Sequence, residues 1–160
     1  MQKSTIYCDI DGVLADFEAG YRHVTGRTPF DLRADRNHTM YRYYWNVFVD
    51  AEGFTSLPLH SQGAVVLIDT LNRLDRDKFN VCILSSSGGF DRHYDVAQQK
   101  LKWLKQQSID WPAVIVPGRK YKAGFARPND LLIDDTLDVV DSFRQAGGFA
   151  IHYSKWSAIA

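Results

Sequence analysis

The most informative part of this sequence takes an apolar strand into two acidic residues, and it reads Tyr7-Cys8-Asp9-Ile10-Asp11-Gly12-Val13-Leu14-Ala15-Asp16-Phe17. Side chains alternate along a strand, so Asp9 and Asp11 project to the same side where the strand ends. Two like charges held this close are costly unless a cation neutralises them. Gly12 lets the backbone turn sharply and approach a bound group. This stretch therefore predicts a strand that leads into a cation-dependent site.

Four further apolar runs resemble strands, so the predicted strands are 5–10, 79–84, 113–116, 131–133 and 149–153. Short, continuous apolar runs are typical of strands that are covered on both faces. Apolar residues at helical spacing lie between them, and the three helices are marked by Ala64, Leu67, Ile68, Leu71 and Leu74, by Tyr94, Ala97, Leu101 and Leu104, and by Leu137, Val140 and Phe143. Asp91 and Thr136 are predicted N-caps, and Gly147-Gly148 is a predicted helix stop.

Strands that alternate with helices predict an α/β fold, with a three-layer, Rossmann-like parallel sheet and right-handed crossovers. The segment 18–60 does not fit this alternation, because it has no convincing strand and places Tyr41, Tyr43, Tyr44, Trp45 and Phe48 close together. A long connection after a strand usually carries function. We therefore expect a small helical cap at 18–60 and a core formed by 1–17 and 61–160. At least half of the cap's aromatic rings should form its own core, since aromatic side chains are usually buried.

Composition excludes several classes of protein. The 160 residues are 45% hydrophobic, which suits one compact domain. The 19 basic and 19 acidic residues balance, which argues against duplex nucleic acid as a partner. No apolar run approaches the roughly 18 residues of a membrane span, and no signal sequence is evident, so we expect a soluble, cytoplasmic protein without a membrane partner. Cys8 and Cys82 are expected to be reduced core residues, and the sequence leaves the oligomeric state open.

A second acidic pair, Asp134-Asp135, follows the apolar run 131–133. The carboxyl ends of parallel strands open on the same edge of a sheet, so four carboxylates are expected there, from Asp9, Asp11, Asp134 and Asp135. Magnesium prefers oxygen ligands and keeps waters or phosphate oxygens. The two pairs together predict a Mg²⁺ site at this edge.

Two weaker patterns are consistent with phosphate binding. Ser85-Ser86-Ser87-Gly88-Gly89 follows the run 79–84 and offers hydroxyl and backbone N–H groups to an anion. Arg119-Lys120-Tyr121-Lys122 supplies ammonium groups before the strand that carries Asp134, where a fixed cation would neutralise a phosphoryl group. Taken alone, a short basic run is more often a solvated face. The predicted site is therefore defined by the combination of these patterns.

The order Asp-x-Asp-Gly, Ser, Lys, Asp-Asp resembles the haloacid dehalogenase (HAD) superfamily, whose four motifs follow successive strands. The segment 9–18, Lys100-Leu101-Lys102-Trp103 and the segment 131–135 resemble the 5'(3')-deoxyribonucleotidase family in particular. The chain departs from that family at two places. Thr136 follows the acidic pair where the family has Arg, and Ser87-Gly88-Gly89 stands where the family has Pro.

The resemblance implies a Mg²⁺-dependent phosphomonoesterase that acts on a nucleoside monophosphate. It makes Asp9 the nucleophile, which forms an aspartyl-phosphate, and Asp11 the general acid and base. It assigns Mg²⁺ to Asp9, the Asp11 carbonyl, Asp135 and, directly or through water, Asp134. It assigns phosphoryl binding to Ser85 and to Lys122, which is preferred over Lys120 because 122–126 resembles the context of this lysine in small relatives.

The residues predicted to contact the substrate are Phe17, Trp45, Phe48, Ser86 and Lys100. An aromatic ring at Phe17 is a feature of the family, whereas Trp45 and Phe48 are chosen as stacking partners for a base. Lys100 is a candidate second cation for the phosphate, although an exposed helical lysine is an equally good interpretation.

Three other functions stay open at the level of sequence. They are a 3'-phosphatase for nucleic-acid ends, a phosphatase for another small metabolite, and a phospho-receiver-like signalling domain. The neutral charge disfavours the first. A receiver would have its acidic pair after the first strand and its phosphoacceptor after a middle strand, without a large insertion after the first strand.

Overall fold

The computed structural model describes residues 2–30 and 38–154, so parts of the predicted cap and core, at 1, 31–37 and 155–160, lie outside the described residues. Its sheet contains the five predicted strands, which are β1 (Ser4–Cys8), β2 (Phe79–Ser86), β3 (Ala113–Val116), β4 (Leu131–Asp134) and β5 (Phe149–His152). All neighbouring strands are parallel, in the order β3-β2-β1-β4-β5. The predicted α/β parallel fold is confirmed. This order differs from the 2-1-3-4-5 order of receiver domains.

The helices are α1 (Phe17–Thr25), α2 (His38–Asp50), α3 (Gln62–Asn72), α4 (His93–Gln106) and α5 (Leu137–Gln145), with 3₁₀ segments at Gly53–Ser56 and Arg119–Phe125. The three helices predicted from apolar spacing are α3, α4 and α5. Among residues 2–30 and 38–154, no helix is both long and apolar enough to cross a membrane.

Of the three predicted helix ends, the stop after α5 is correct, the N-cap of α4 is wrong, and the N-cap of α5 has the predicted residue without the capping hydrogen bond. Gly147 follows α5 with a φ of 102°, a conformation that glycine adopts without strain, and its N–H donates to the Arg144 carbonyl. Arg92, not Asp91, occupies the N-cap position of α4. Thr136 does occupy the N-cap position of α5, but its hydroxyl makes no capping hydrogen bond and instead donates to the Asp135 carboxylate at 3.3 Å.

The register of the sheet aligns the ends of its three central strands. Cys8 of β1 pairs with Ile83 of β2 on one side and with Ile133 of β4 on the other. Asp9 and Asp134 therefore follow at neighbouring positions on the same edge. The first strand ends at Cys8, two residues earlier than predicted, because the N–H groups of 13–15 all donate to the Ile10 carbonyl in a tight turn.

The alternation of side chains along the strands divides the core between the two faces of the sheet. Tyr7, Leu84 and Leu132 face α5, where Phe143 is fully buried. Cys8 and its neighbours on the other face belong to a larger apolar cluster that also includes Trp103, Tyr21, Phe48 and Phe54. Both cysteines are free and buried, as predicted. Most aromatic residues of α1, α2 and the following 3₁₀ segment thus share one continuous core with the sheet, whereas Tyr43 is exposed.

Candidate active site

A buried lysine joins the ends of β1 and β4. The Lys122 Nζ lies 3.0 Å from Asp9 Oδ2 and 2.6 Å from Asp134 Oδ2. Lys122 is only 2% exposed, and both carboxylates are buried. Burial lowers the pKa of Lys122, but the two carboxylates outweigh this effect and raise that pKa above its usual value. Lys120 is exposed and lies beside the ring of Tyr121, so the structure places Lys122 rather than Lys120 in the site.

Three carboxylates form a compact group of oxygen ligands. Asp9, Asp134 and Asp135 each offer an oxygen atom, and these atoms lie within 4.8 Å of one another. Burial, followed by the repulsion of Asp9, raises the pKa of Asp134 to about 6 and that of Asp135 to about 7. A divalent cation would relieve this repulsion, and an all-oxygen ligand set suits Mg²⁺. The residues therefore fit the predicted ion.

The predicted convergence of four carboxylates needs a correction, because the Asp11 side chain is not in this group. Its Oδ2 accepts a hydrogen bond from the Lys100 Nζ at 2.6 Å. Burial raises the pKa of Asp11, and the opposing effect of Lys100 does not cancel the rise. Asp11 Oδ1 is buried without a hydrogen-bond partner among the described residues. The two aspartates of the first motif therefore occupy different environments, one beside Asp134 and one beside Lys100.

Lys100 is not an exposed helical lysine. It lies on α4 and is 1% exposed, and its Nζ also donates to Ser85 Oγ at 2.9 Å. One buried ammonium group thus joins the end of β2 to the loop after β1. A buried charge is retained only when it is paired, and Asp11 supplies that pairing.

The three serine hydroxyls at the end of β2 and the start of the following glycine-rich loop make different contacts. Ser86 Oγ accepts a hydrogen bond from the Gly88 N–H at 3.0 Å, and this side chain borders the cavity beside Ser85. Ser87 Oγ is buried and lies 2.9 Å from the Gly89 carbonyl and 2.6 Å from His93 Nδ1. Ser85 and Ser86 therefore lie at the site, whereas the Ser87 hydroxyl holds the loop to α4.

Gly12 is required by close packing at the acidic group. Its φ is 76°, in the left-handed region that glycine favours. A Cβ atom at this position would overlap the Asp135 carboxylate. The glycine of the first motif therefore allows β1 and β4 to bring their carboxylates together.

Asp9, Ser85 and Lys122 line a cavity of about 760 Å³, a volume within the usual range for small-molecule sites. One wall is aromatic, with contributions from Phe17, Tyr41, Trp45 and Phe54. The remaining lining is mostly polar and comes from Asp9, Asp11, Gly12, Asp16, Glu18, Pro29, Phe30, His60, Ser85, Ser86, Gly88, Arg119, Lys122, Asp135, Thr136 and Val139.

The structure places the predicted stacking residues in two different environments. Phe17 and Trp45 line the cavity, in contact with each other at a ring separation of 6.3 Å. Phe48 does not line it, and the prediction that Phe48 contacts the substrate is wrong, because its ring is fully buried. This ring packs edge-on against Phe17 and Phe54. Phe48 therefore supports the aromatic wall from behind.

Sequence reasoning missed Phe54, His60 and Arg119 as cavity residues. Phe54 stacks on Phe17 with the ring planes 8° apart and the centroids 5.5 Å apart. It lies in a four-residue 3₁₀ segment that has no hydrophobic periodicity, so no local pattern marks it. Arg119 belongs to the basic segment 119–122. Its place in the sequence shortly before the strand that carries Asp134 was the only indication that it could lie at the site.

Comparison with known proteins identifies the fold. No protein-family model matches the chain, and no curated protein matches its sequence. A hydrolase from Streptococcus pneumoniae TIGR4 is similar at 17% identity and a TM-score of 0.54, over 98% of this chain and 96% of that one. A haloacid dehalogenase-like hydrolase from the same species is similar at 12% identity and a TM-score of 0.59, over 98% and 90%.

An L-2-haloacid dehalogenase from Xanthobacter autotrophicus is also similar, at 14% identity and a TM-score of 0.53, over 93% of this chain and 76% of that one. The chain therefore has the fold of the HAD-like hydrolases. At these identities the likeness concerns the fold alone, and the narrower resemblance to nucleotidases stays a prediction.

The raised pKa values of Asp134 and Asp135 predict a pH-dependent effect of Mg²⁺ on stability. Both values, about 6 and about 7, lie above the usual 3.8, so the metal-free folded state holds protons that the unfolded chain releases. The free energy of unfolding from these groups therefore falls as pH rises from about 4 to about 7. Mg²⁺ bound by these carboxylates would compete with the protons, so the increase in Tm on adding Mg²⁺ should be larger at pH 8 than at pH 5. Equal increases at both pH values, measured by differential scanning fluorimetry, would contradict this expectation.

Proposed function

We propose that this protein is a Mg²⁺-dependent phosphomonoesterase that hydrolyses a ribo- or deoxyribonucleoside monophosphate through an aspartyl-phosphate intermediate. The observation that carries the proposal is the position of Lys122, which contacts Asp9 and Asp134 beside Asp135. A buried cation and an adjoining group of carboxylates, opening into one cavity, suit the transfer of a phosphoryl group.

Asp9 is the proposed nucleophile. Its Oδ1 accepts a hydrogen bond from the Ile10 N–H at 2.8 Å, and its Oδ2 faces Lys122. These contacts fix the carboxylate at the floor of the cavity. In the first step a carboxylate oxygen attacks phosphorus and the bond to the leaving oxygen breaks. Water then attacks the aspartyl-phosphate, releasing inorganic phosphate and the free carboxylate.

Asp11 is the proposed general acid and base. Burial raises the pKa of Asp11, which is the direction that a group donating a proton to the leaving alcohol requires. After the first step the same carboxylate accepts a proton from the attacking water. Asp9 and Asp11 therefore divide nucleophilic and proton-transfer roles between two environments only two residues apart.

The ion would be held by Asp9, Asp134 and Asp135, together with the Asp11 carbonyl. When bound there, Mg²⁺ supplies positive charge that offsets the charge on the phosphoryl oxygens. Lys122 and Ser85 are the proposed ligands of the remaining phosphoryl oxygens, with Ser86 beside them, while Lys100, predicted to contact the substrate, does not line the cavity and instead bonds Asp11 and Ser85.

The aromatic wall supports a substrate that carries a flat ring. Phe17 and Trp45 face the cavity, and base stacking on aromatic rings contributes about 1–3 kcal/mol per base. The segment 18–60 supplies Trp45 and the rings behind it, and we assign it the role of a substrate-binding cap on the core. The proposed place of action is the cytoplasm.

The direct test is a phosphate-release assay with the purified protein and Mg²⁺. The substrates are 5'- and 3'-monophosphates of ribo- and deoxyribonucleosides, sugar phosphates and a 3'-phosphorylated oligonucleotide, with a 2-haloacid as a separate dehalogenation control. We expect release from a nucleoside monophosphate and its loss in excess chelator. Full turnover in chelator, or halide release without phosphate release, would contradict the proposal.

Trp45→Ala is expected to raise KM for the nucleoside monophosphate about 5- to 10-fold and to leave kcat nearly unchanged. Stacking far from phosphorus contributes similar binding in the ground and transition states, so its loss appears in KM. The measurement is the ratio of kcat/KM for the nucleotide and for glycerol phosphate, which has no ring. Tyr43→Ala is the matched control, since that exposed ring on the same helix does not line the cavity. An unchanged ratio in folded Trp45→Ala would assign the ring to packing alone.

A further inference from the structure

One face of α4 is bonded along its length to the cap segment 18–60. Arg92, just before the helix, donates to Asn46 Oδ1 at 3.1 Å and to Asp50 Oδ1 at 2.8 Å. Near the other end of α4, the Trp103 indole N–H donates to the Leu57 carbonyl at 2.8 Å. Residues spaced by three or four positions share a helix face, so these contacts form one row.

Gln99 lies in the middle of this row, and both the NH₂ group and the oxygen of its side-chain amide make hydrogen bonds. Its Nε2 donates to the Val49 carbonyl at 2.8 Å, and its Oε1 accepts a hydrogen bond from the Phe54 N–H at 3.2 Å. The side chain is buried, so neither bond can be replaced by water without opening the core. The Phe54 N–H lies in the first turn of a 3₁₀ segment, where backbone donors have no partner within the helix. Gln99 therefore supplies a bond that no neighbouring backbone group provides.

Phe54 connects this bond to the cavity. Its ring stacks on Phe17, and its centroid lies 5.6 Å from that of Trp45. The Lys100 Nζ, on the residue after Gln99, lies 4.9 Å from the same ring and also bonds Asp11. Two consecutive residues of α4 thus fix the aromatic wall and the Asp11 carboxylate relative to each other.

We infer that Gln99 is a positioning residue, which holds the aromatic wall at a fixed distance from Asp9 and Asp11. The described part of the cap segment from residue 38 to residue 57 is then a fixed wall of the cavity and does not open and close as a lid. The effect on substrates rests on the proposed function, but the fixed position of the wall does not.

The test compares Gln99→Met with Gln98→Met, which makes the same change at an exposed position of the same helix. Gln99→Met should raise KM for the nucleoside monophosphate roughly 5- to 10-fold, because a displaced wall loses its stacking geometry. Its kcat for glycerol phosphate should stay within about twofold of the parent protein, since that substrate does not use the wall. Gln98→Met should change neither value.

Amide hydrogen exchange provides a readout that does not depend on activity. A fixed wall predicts that exchange across 38–57 is slow in the parent protein and changes little on adding inorganic phosphate with Mg²⁺. It also predicts faster exchange at Phe54 in Gln99→Met and no change in Gln98→Met. If Gln99→Met does not fold, Trp103→Phe, which removes the N–H donated to Leu57 together with part of the buried ring, replaces it and should speed exchange near residue 57.

A large slowing of exchange across 38–57 when phosphate and Mg²⁺ bind would overturn the inference, because that is the behaviour of a closing lid. Identical exchange and kinetics in the Gln99→Met and Gln98→Met proteins would also overturn it. Absence of phosphatase activity in the parent protein would instead refute the proposed function, while the exchange comparison would still decide whether the wall is fixed.

Discussion

Asp9→Asn is expected to lower kcat for the preferred phosphomonoester by roughly 10³-fold or more, as for other deletions of a covalent nucleophile. The amide that replaces the carboxylate is a poor nucleophile, and it removes one oxygen ligand from the group formed with Asp134 and Asp135. The substitution is nearly isosteric, and the buried Lys122 keeps Asp134 as its charge partner, so the fold should survive. Stopped-assay phosphate release and a thermal melt would check both expectations.

Asp141→Asn is the control, because that exposed carboxylate lies on α5 away from the cavity. Asp11→Asn provides a second comparison, since it should also slow turnover but can still form the intermediate from a substrate with a good leaving group. Mass spectrometry after an acid quench should then detect one phosphoryl group on Asp11→Asn and none on Asp9→Asn. A nearly normal rate in Asp9→Asn together with a slow Asp11→Asn would mean that the nucleophile is assigned incorrectly.

Lys122→Met is expected to have the second largest effect, because it changes both activity and stability. Removing a cation from a charge-stabilising site typically lowers kcat by about 10²- to 10³-fold. The change also leaves Asp9 and Asp134 buried without their ammonium partner, and breaking a buried ion pair in this way costs about 3–5 kcal/mol. Methionine keeps much of the volume of the lysine stem, so the loss reports mainly on charge.

Lys120→Met is the matched control, since Lys120 lies two residues earlier on the same 3₁₀ segment but is exposed. Chemical denaturation with and without Mg²⁺ separates the two effects. Mg²⁺ should restore part of the stability of Lys122→Met, because a cation bound to the carboxylates replaces the lost charge, but it should not restore the rate. Equal behaviour of the two lysine variants would contradict the central place of Lys122 in the site.

The sequence alone determined the class of fold and the edge of the sheet where the site lies. Both depend on local patterns. Apolar runs and helical spacing identify the elements, and acidic residues follow two of those runs. Strands of a parallel sheet end on the same edge, so Asp9 after β1 had to meet Asp134 and Asp135 at the end of β4. Gly12 was likewise recognisable, since the turn into the site requires it.

Only the tertiary structure decided which of several similar side chains enter the site. Lys122 and Lys120 lie on one short segment, and packing of that segment against α5, β2 and β3 buries the first and exposes the second. Phe48 was expected at the cavity, but α2 turns it into the core, whereas Phe54, for which the sequence predicted no role, lines the cavity, where Gln99 holds its backbone. Such outcomes depend on contacts between segments far apart in the chain, and no periodicity within either segment encodes them.

The Asp11–Lys100 pair is a second contact between distant segments that no local sequence pattern predicts. The two residues are 89 positions apart, and they meet because α4 packs against the cap and the loop after β1. From the sequence, a lysine on a helix is usually expected to be exposed to solvent. Lys100 is instead buried beside Asp11, and this burial makes it part of the site. The sequence specified the groups for which we propose a chemical role, and the packing of α4 determined which of them are neighbours and how their charges are paired.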